Sequence, residues 1–151
     1  MAAVRTMATL ARRAEEALGE YGDLQQILPH PAHLVTEAVS QAAITMAGHL
    51  DAAAIITLTE SGFTSRSISK YRPRCPILAL STVPEVVRKL AMNWGVTAVL
   101  FEEEGDDAIR IRAGIEHART LGFVTSGDVV VATAGISRET GSTNMIRVVT
   151  V

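Results

Sequence analysis

Cysteine, aromatic residues and any excess of charge are all in short supply in this chain, and each shortage removes a class of protein. A single cysteine, Cys75, allows no internal disulfide and fits a reducing compartment. It stands between Arg74 and Pro76 at the entrance to an apolar run, where a half-buried structural thiol is expected. Aromatics amount to 4%, so the core has to be built from Ala, Val, Ile and Leu. Lys and Arg number 14 against 16 Asp and Glu, a net charge of −2, which offers no electrostatic case for nucleic acid as a partner. No apolar run reaches the roughly 20 residues that cross a bilayer, so no membrane partner is expected. The N-terminus carries arginines without the apolar core of a signal peptide, and Glu15 and Glu16 argue against a transit peptide. A soluble, cytoplasmic protein is expected.

Catalytic and metal-binding constellations are also missing. Among His30, His33, His49 and His117 the only suggestive spacing is H-x-x-H at His30 and His33, interrupted by Pro31. Two ligands fall short of the three or four a zinc site gathers, so no metal is assigned. There is no G-x-S-x-G, no G-x-x-x-x-G-K and no Cys–His pair, and Glu60 beside Ser61 lacks an identifiable acid–base partner.

What is present is a regular alternation. Val4, Met7, Leu10, Ala11, Ala14 and Leu18 recur at spacings of three and four, which predicts an amphipathic helix over 2–18. It starts without a capping residue, as a chain entering midway through an element would. Gly19 and Gly22 end it, and Pro29 and Pro31 mark a connection. A second helix is expected over about 32–50, with Leu34, Val35, Ala38, Val39, Ala42, Ala43, Met46 and Ala47 on its buried side. Apolar runs at 54–58, 77–80, 96–101, 129–133 and 145–151 predict five strands. Helices are expected between them: one after residue 62, one to about Asn93 with Pro84 in its first turn and Ser81 or Thr82 as cap, and one over about 106–121 closed by Gly122. The acidic run Glu102 to Asp107 suits the positive end of that last helix. Strands alternating with helices of this length predict parallel pairing through right-handed crossovers. The last connection is too short for a crossover, so the fifth strand should return antiparallel. The expected fold is a three-layer α/β/α domain around a five-stranded mixed sheet.

The stretch that organises the chain is Ala53 to Ser69, AAIITLTESGFTSRSIS. A buried strand ends at Thr59 and gives way to Glu60-Ser61-Gly62-Phe63-Thr64, after which Ile68 and Tyr71 keep helical spacing. A hydroxyl-rich turn that opens a helix offers free backbone N–H groups and side-chain donors to an anion, most often a phosphate. An ordinary helix cap uses the same residue types. In open α/β sheets ligands bind beyond the carboxyl ends of the strands, where this turn falls.

Taken together these segments resemble the C-terminal domain of pyruvate kinase. The resemblance rests on Thr59 to Thr64, on Ser69-Lys70-Tyr71-Arg72-Pro73 with Pro76-Ile77, and on Trp94-Gly95-Val96. It continues through Gly127-Asp128-Val129-Val130-Val131, Thr133-Ala134-Gly135 and Gly141-Ser142-Thr143-Asn144. Residues 1–22 resemble the connector from the catalytic barrel, and 23–151 the α/β domain itself. The resemblance implies regulation and subunit assembly, with the catalytic residues and their magnesium and potassium in the barrel and no cofactor here. By position, Thr59, Ser61, Gly62 and Thr64 would hold one phosphate with backbone help from Glu60 and Phe63. Trp94 and Arg110 would approach a second phosphate, and Gly141 and Ser142 would belong to a loop closing over a sugar.

Two residues depart from that pattern. Glu60 stands where a lysine would favour a bisphosphate, and Phe63 where an arginine is common. Fructose 1,6-bisphosphate is therefore the less favoured ligand. AMP, ribose 5-phosphate or glucose 6-phosphate is favoured, with inorganic phosphate or sulfate as the smallest occupants. Two other readings stay open: an assembly module forming a homo-oligomer around a vestigial site, and a standalone small protein, binding or enzymatic, that acts on a phosphometabolite.

Overall fold

The computed structural model describes residues 2–21, 33–135 and 141–151. Helix α1 spans Ala2–Tyr21 and α2 Leu34–His49; then follow β1 Ala54–Leu58, α3 Phe63–Ser69, β2 Ile77–Ser81, α4 Pro84–Leu90 and β3 Val96–Leu100. Helix α5 covers Asp107–Thr120, and the chain ends with β4 Val129–Gly135 and β5 Thr143–Thr150. One sheet runs in the order β3-β2-β1-β4-β5. The first four strands of the chain are mutually parallel and β5 returns antiparallel on β4, as the short last connection requires. The elements therefore follow the expected order, with α4 ending three residues early and β5 starting two residues sooner.

The central strands β1 and β2 are buried on both faces, which is why they read as continuous apolar runs. Side chains alternate between the layers. Ile56, Leu58, Leu78 and Leu80 face α5 through Ile111, Ile115 and Ala118. Ile55 and Ile77 face α2 and α3 through Ala43, Ala47 and Ile68, while Ala79 packs with Val86 and Leu90 of α4. Helix α5 lies so close to the sheet that a Cβ on Gly114 would stand 2.6 Å from Leu80 Cδ1 and 3.3 Å from Ile56 Cγ2. Both neighbours are fully buried and have little room to yield. Gly114→Ala should gain helix propensity yet lose about 1 kcal/mol net through overpacking. Adding Leu80→Val to make room should make the two substitutions non-additive in urea denaturation.

Helix α2 corrects the expected face. Leu34, Val35 and Met46 are exposed, and Ala38 with them, whereas Thr36, Glu37 and Ser40 are buried beside Ala43 and Ala47. Glu37 turns in to meet Ser67 and Lys70, Thr36 to the Gly141 carbonyl, and Ser40 to the Thr36 carbonyl. Helix α3 presents a hydroxyl surface, with Thr64, Ser65, Ser67 and Ser69 all buried. Buried hydroxyls need partners, and each has one: Ser65 with Thr57 Oγ1 (2.7 Å), Ser67 with Glu37 Oε1 (3.4 Å), Ser69 with the Trp94 carbonyl (2.6 Å), and Thr64 with Thr143 Oγ1 (2.6 Å). The cap of α4 is also revised. Val83 occupies the N-cap without a side-chain bond, Ser81 Oγ accepts from the Val83 amide, and Thr82 turns to Glu60. Asp106 caps α5 by accepting from the Ile109 amide at 2.9 Å.

Every residue of α1 from Ala2 to Ala14 is exposed, so the stripe Val4, Met7, Leu10 has no cover. Among the described residues no helix is long and apolar enough to cross a membrane. His30 lies outside the described residues. Cys75 is half-buried at the entrance to β2; burial pushes its thiol above the usual value, a hydrogen bond from its own amide offsets part of this, and the nearby Asp51 carboxylate adds to it. Its alkylation by iodoacetamide at pH 8 should run slower than that of free cysteine and keep rising beyond the usual thiol range. A rate equal to free cysteine would contradict this.

Candidate functional site

The site grows from the end of β1. The Thr59 amide donates to the Leu80 carbonyl at 3.0 Å, so β1 keeps its ladder one residue past Leu58 before the chain leaves the sheet. Thr59 Oγ1 then accepts from the Gly62 amide at 2.9 Å and closes a tight turn. Gly62 has φ +73, and a Cβ there would meet Arg66 Nη1 at 2.9 Å and Val86 Cγ1 at 3.1 Å, so both backbone and space call for glycine. The Phe63 amide reaches Ser61 Oγ at 3.4 Å, and Arg66 Nη1 donates to the Ser61 carbonyl at 3.0 Å. The amides of Glu60, Ser61 and Thr64 are left without a partner among the described residues. Helix α3 is only seven residues long, so its dipole adds little and the turn's own donors are what an anion would meet.

The far wall comes from the end of the chain. Thr64 Oγ1 and Thr143 Oγ1 lie 2.6 Å apart, and Thr36 Oγ1 donates to the Gly141 carbonyl at 2.9 Å, so the turn, the start of β5 and the start of α2 are tied together. Between them opens a cavity of about 410 Å³ lined by Thr59, Ser61 and Thr64 on one side and Gly141 and Ser142 on the other. This volume suits a small metabolite.

The charged groups line a different part of the same cavity. Glu60 Oε2 accepts from Thr82 Oγ1 at 2.5 Å, and Glu60 Oε1 lies 3.6 Å from Arg110 Nη2. Arg110 also sits 3.8 Å from Asp107 Oδ1. Glu60 Oε1 is buried with no hydrogen bond among the described residues. The cavity thus sets Glu60, Asp106 and Asp107 against one cation, Arg110, which is already engaged by two carboxylates.

The expected site residues divide. Thr59, Glu60, Ser61, Thr64, Arg110, Gly141 and Ser142 meet around one cavity. Gly62 and Phe63 shape the turn without lining it, and the Phe63 ring packs on His33 with centroids 4.6 Å apart. Trp94 stands elsewhere. Its carbonyl accepts from Ser69 at the far end of α3, Arg72 lies over its ring, and β3 begins two residues later. It therefore sits at the amino ends of the strands, roughly 15 Å of strand away from the cavity. Sequence reasoning did not single out Thr82, Asp107 or Thr143 as site residues. Thr143 could have been found as the hydroxyl following Gly141-Ser142, whereas the roles of Thr82 and Asp107 depend on packing alone.

Residues 37–149 match the family described as the pyruvate kinase α/β domain. Across nearly the whole chain there is likeness to curated relatives. The pyruvate kinase of Clostridium acetobutylicum is 37% identical over 147 residues, covering 97% of this chain and 31% of that protein. That of Bacillus licheniformis is 38% identical over 146 residues, covering 97% of this chain and 25% of that protein. Pyruvate kinase 1 of Saccharomyces cerevisiae is 37% identical over 158 residues, covering 99% and 31% respectively. The chain spans less than a third of the length of these relatives.

Proposed function

Because this chain belongs to the pyruvate kinase α/β domain family, we propose that it is a non-catalytic regulatory domain whose cavity takes a metabolite bearing one phosphate. The observation that carries this reading is the turn 59–64, whose Thr59, Glu60, Ser61 and Thr64 line the cavity and whose Glu60, Ser61 and Thr64 amides have no partner among the described residues. A phosphate accepts from such donors without needing a cation. The rest of the ligand would lie toward Ser142 and Arg110. There the excess of carboxylates disfavours a second phosphate and suits a sugar whose hydroxyls can donate to Glu60 Oε1. AMP, ribose 5-phosphate and glucose 6-phosphate have this form; fructose 1,6-bisphosphate does not. Phosphoryl transfer, with its metals, is assigned to parts of a pyruvate kinase outside this chain.

Amide NMR tests the phosphate end. Inorganic phosphate should move the signals of Glu60, Ser61 and Thr64 in a saturable way and leave those of α5 nearly still. Shifts spread evenly over the basic surface, or none at all, would contradict the reading. Assembly is a second role, favoured by the uncovered Val4, Met7 and Leu10 of α1. Light scattering should then find a homo-oligomer that Met7→Glu weakens.

A further inference from the structure

The two edges of the sheet are guarded differently. Strand β5 closes one edge with a register shift where it meets Ala134 and Gly135, and with Arg147 exposed near its middle. Both are devices that discourage another chain from pairing there. Strand β3 closes the other edge with Val96-Thr97-Ala98-Val99-Leu100, which holds no charge and no proline and keeps an unbroken register with β2. Four of these residues are half-buried and Leu100 is 43% exposed, whereas β1 and β2 are buried throughout.

The hydrogen bonds to β2 fix which groups of this edge are open. The Ile77 amide donates to the Gly95 carbonyl at 2.9 Å, and the Phe101 amide donates to the Ser81 carbonyl at 2.9 Å. In a parallel ladder this phase turns the backbone groups of Thr97 and Val99 toward β2 and those of Val96, Ala98 and Leu100 outward. The Val96 amide is taken by the Asn93 carbonyl at 3.3 Å. The amides and carbonyls of Ala98 and Leu100 have no partner among the described residues. Charge marks one end of this open row. Glu102, Glu103 and Glu104 begin two residues past Leu100, all exposed, and none forms an ion pair among the described residues. Asp106 is used to cap α5 and Asp107 sits against Arg110, so the three glutamates stand outside those contacts.

We propose that the β3 edge docks an extended segment of a partner protein, one with β-branched residues in its run and two or three lysines or arginines at one end. The segment's backbone would pair with the open groups of Ala98 and Leu100, adding a sixth strand to the sheet. Its apolar side chains would cover Val96 and Leu100, and its cations would face Glu102, Glu103 and Glu104. An acidic segment would meet like charge at that end. A basic segment unable to extend would keep only a screened surface attraction. None of these groups belongs to the turn 59–64.

Amide hydrogen exchange on this chain tests the assignment, with the capped peptide Lys-Arg-Lys-Val-Thr-Val-Thr-Val as probe. At saturation the amides of Ala98 and Leu100 should slow by at least about tenfold, while those of Thr97 and Val99, already bonded to β2, change little. Peptides with three glutamates in place of the cations, or with Gly-Ser repeats in place of Val-Thr, should bind at least about tenfold more weakly. The triple variant Glu102→Gln/Glu103→Gln/Glu104→Gln should weaken the basic peptide by about tenfold and remove most of its salt dependence. Ala98→Pro deletes an outward amide that β2 does not use, a change that edge strands tolerate, and should abolish the protection of Leu100. No protection at Ala98 and Leu100, protection that falls on β5 instead, equal binding of the acidic peptide, or full affinity in the triple variant would overturn the proposal. Protection that rises with the concentration of this chain alone would give the edge to a second copy and would overturn it as well.

Discussion

Lys70→Met is expected to destabilise the fold by about 3 kcal/mol, far more than the loss of an ordinary surface ion pair. The asymmetry of the pair is the reason. Lys70 Nζ lies 2.6 Å from Glu37 Oε2, and while the lysine side chain keeps 28% of its exposure, the glutamate keeps only 3%. Removing the lysine leaves a buried carboxylate supported by a single long bond from Ser67 Oγ at 3.4 Å. Losing a partner inside a protein typically costs about 3–5 kcal/mol, and the lower end applies because water reaches the lysine side. Urea denaturation should show a lower midpoint with an unchanged slope, and Glu37→Leu/Lys70→Met should recover most of the loss. A single variant within about 0.5 kcal/mol of the parent would show that the pair contributes little.

Glu60→Lys carries the largest expected change in ligand preference. The Glu60 carboxylate is held by Thr82 Oγ1 and lies 3.6 Å from Arg110 Nη2. It therefore cancels the cation that a second phosphate would need. Replacing it by lysine changes the local charge by two units, worth about 2 kcal/mol for a phosphate some 5 Å away after solvent screening. Fructose 1,6-bisphosphate should gain about thirtyfold in affinity, and ribose 5-phosphate less than about threefold. Equal gains for both ligands would place the carboxylate beside the first phosphate and would undo this division of the cavity.

The sequence yielded the order and type of the elements because the signals were local. Short runs such as Ile77-Leu78-Ala79-Leu80, set between Pro76 and Pro84, read as doubly buried strands. The inward face of α2 was not legible. Periodicity assigns apolar residues to the core, yet Leu34 and Val35 face out while Glu37 turns in to Ser67 of α3 and Thr36 to the Gly141 carbonyl. Those partners lie in other segments, where no window on α2 can see them. The turn at 59–62 was legible because Thr59 and Gly62 close it within one loop, whereas the bond from Thr64 to Thr143 crosses to β5. Trp94, expected by resemblance near a second phosphate, stands two residues before β3, at the amino ends of the strands. The pairing of Glu60 with Thr82 and Arg110 joins three loops, so only the fold could reveal it.

Helix α3 also links the two ends of the molecule. It is tied to β5 through Thr64 at its start and to the Trp94 carbonyl through Ser69 at its end, with Ser67 meeting Glu37 of α2 between them and Lys70 pairing with Glu37 just beyond.

The most direct test of the central claim is titration calorimetry of ribose 5-phosphate into this chain beside its Ser61→Ala variant. Saturable binding that is at least about tenfold tighter than that of fructose 1,6-bisphosphate, and that Ser61→Ala weakens, is the expected result. Absence of binding, or binding that Ser61→Ala leaves untouched, would contradict it.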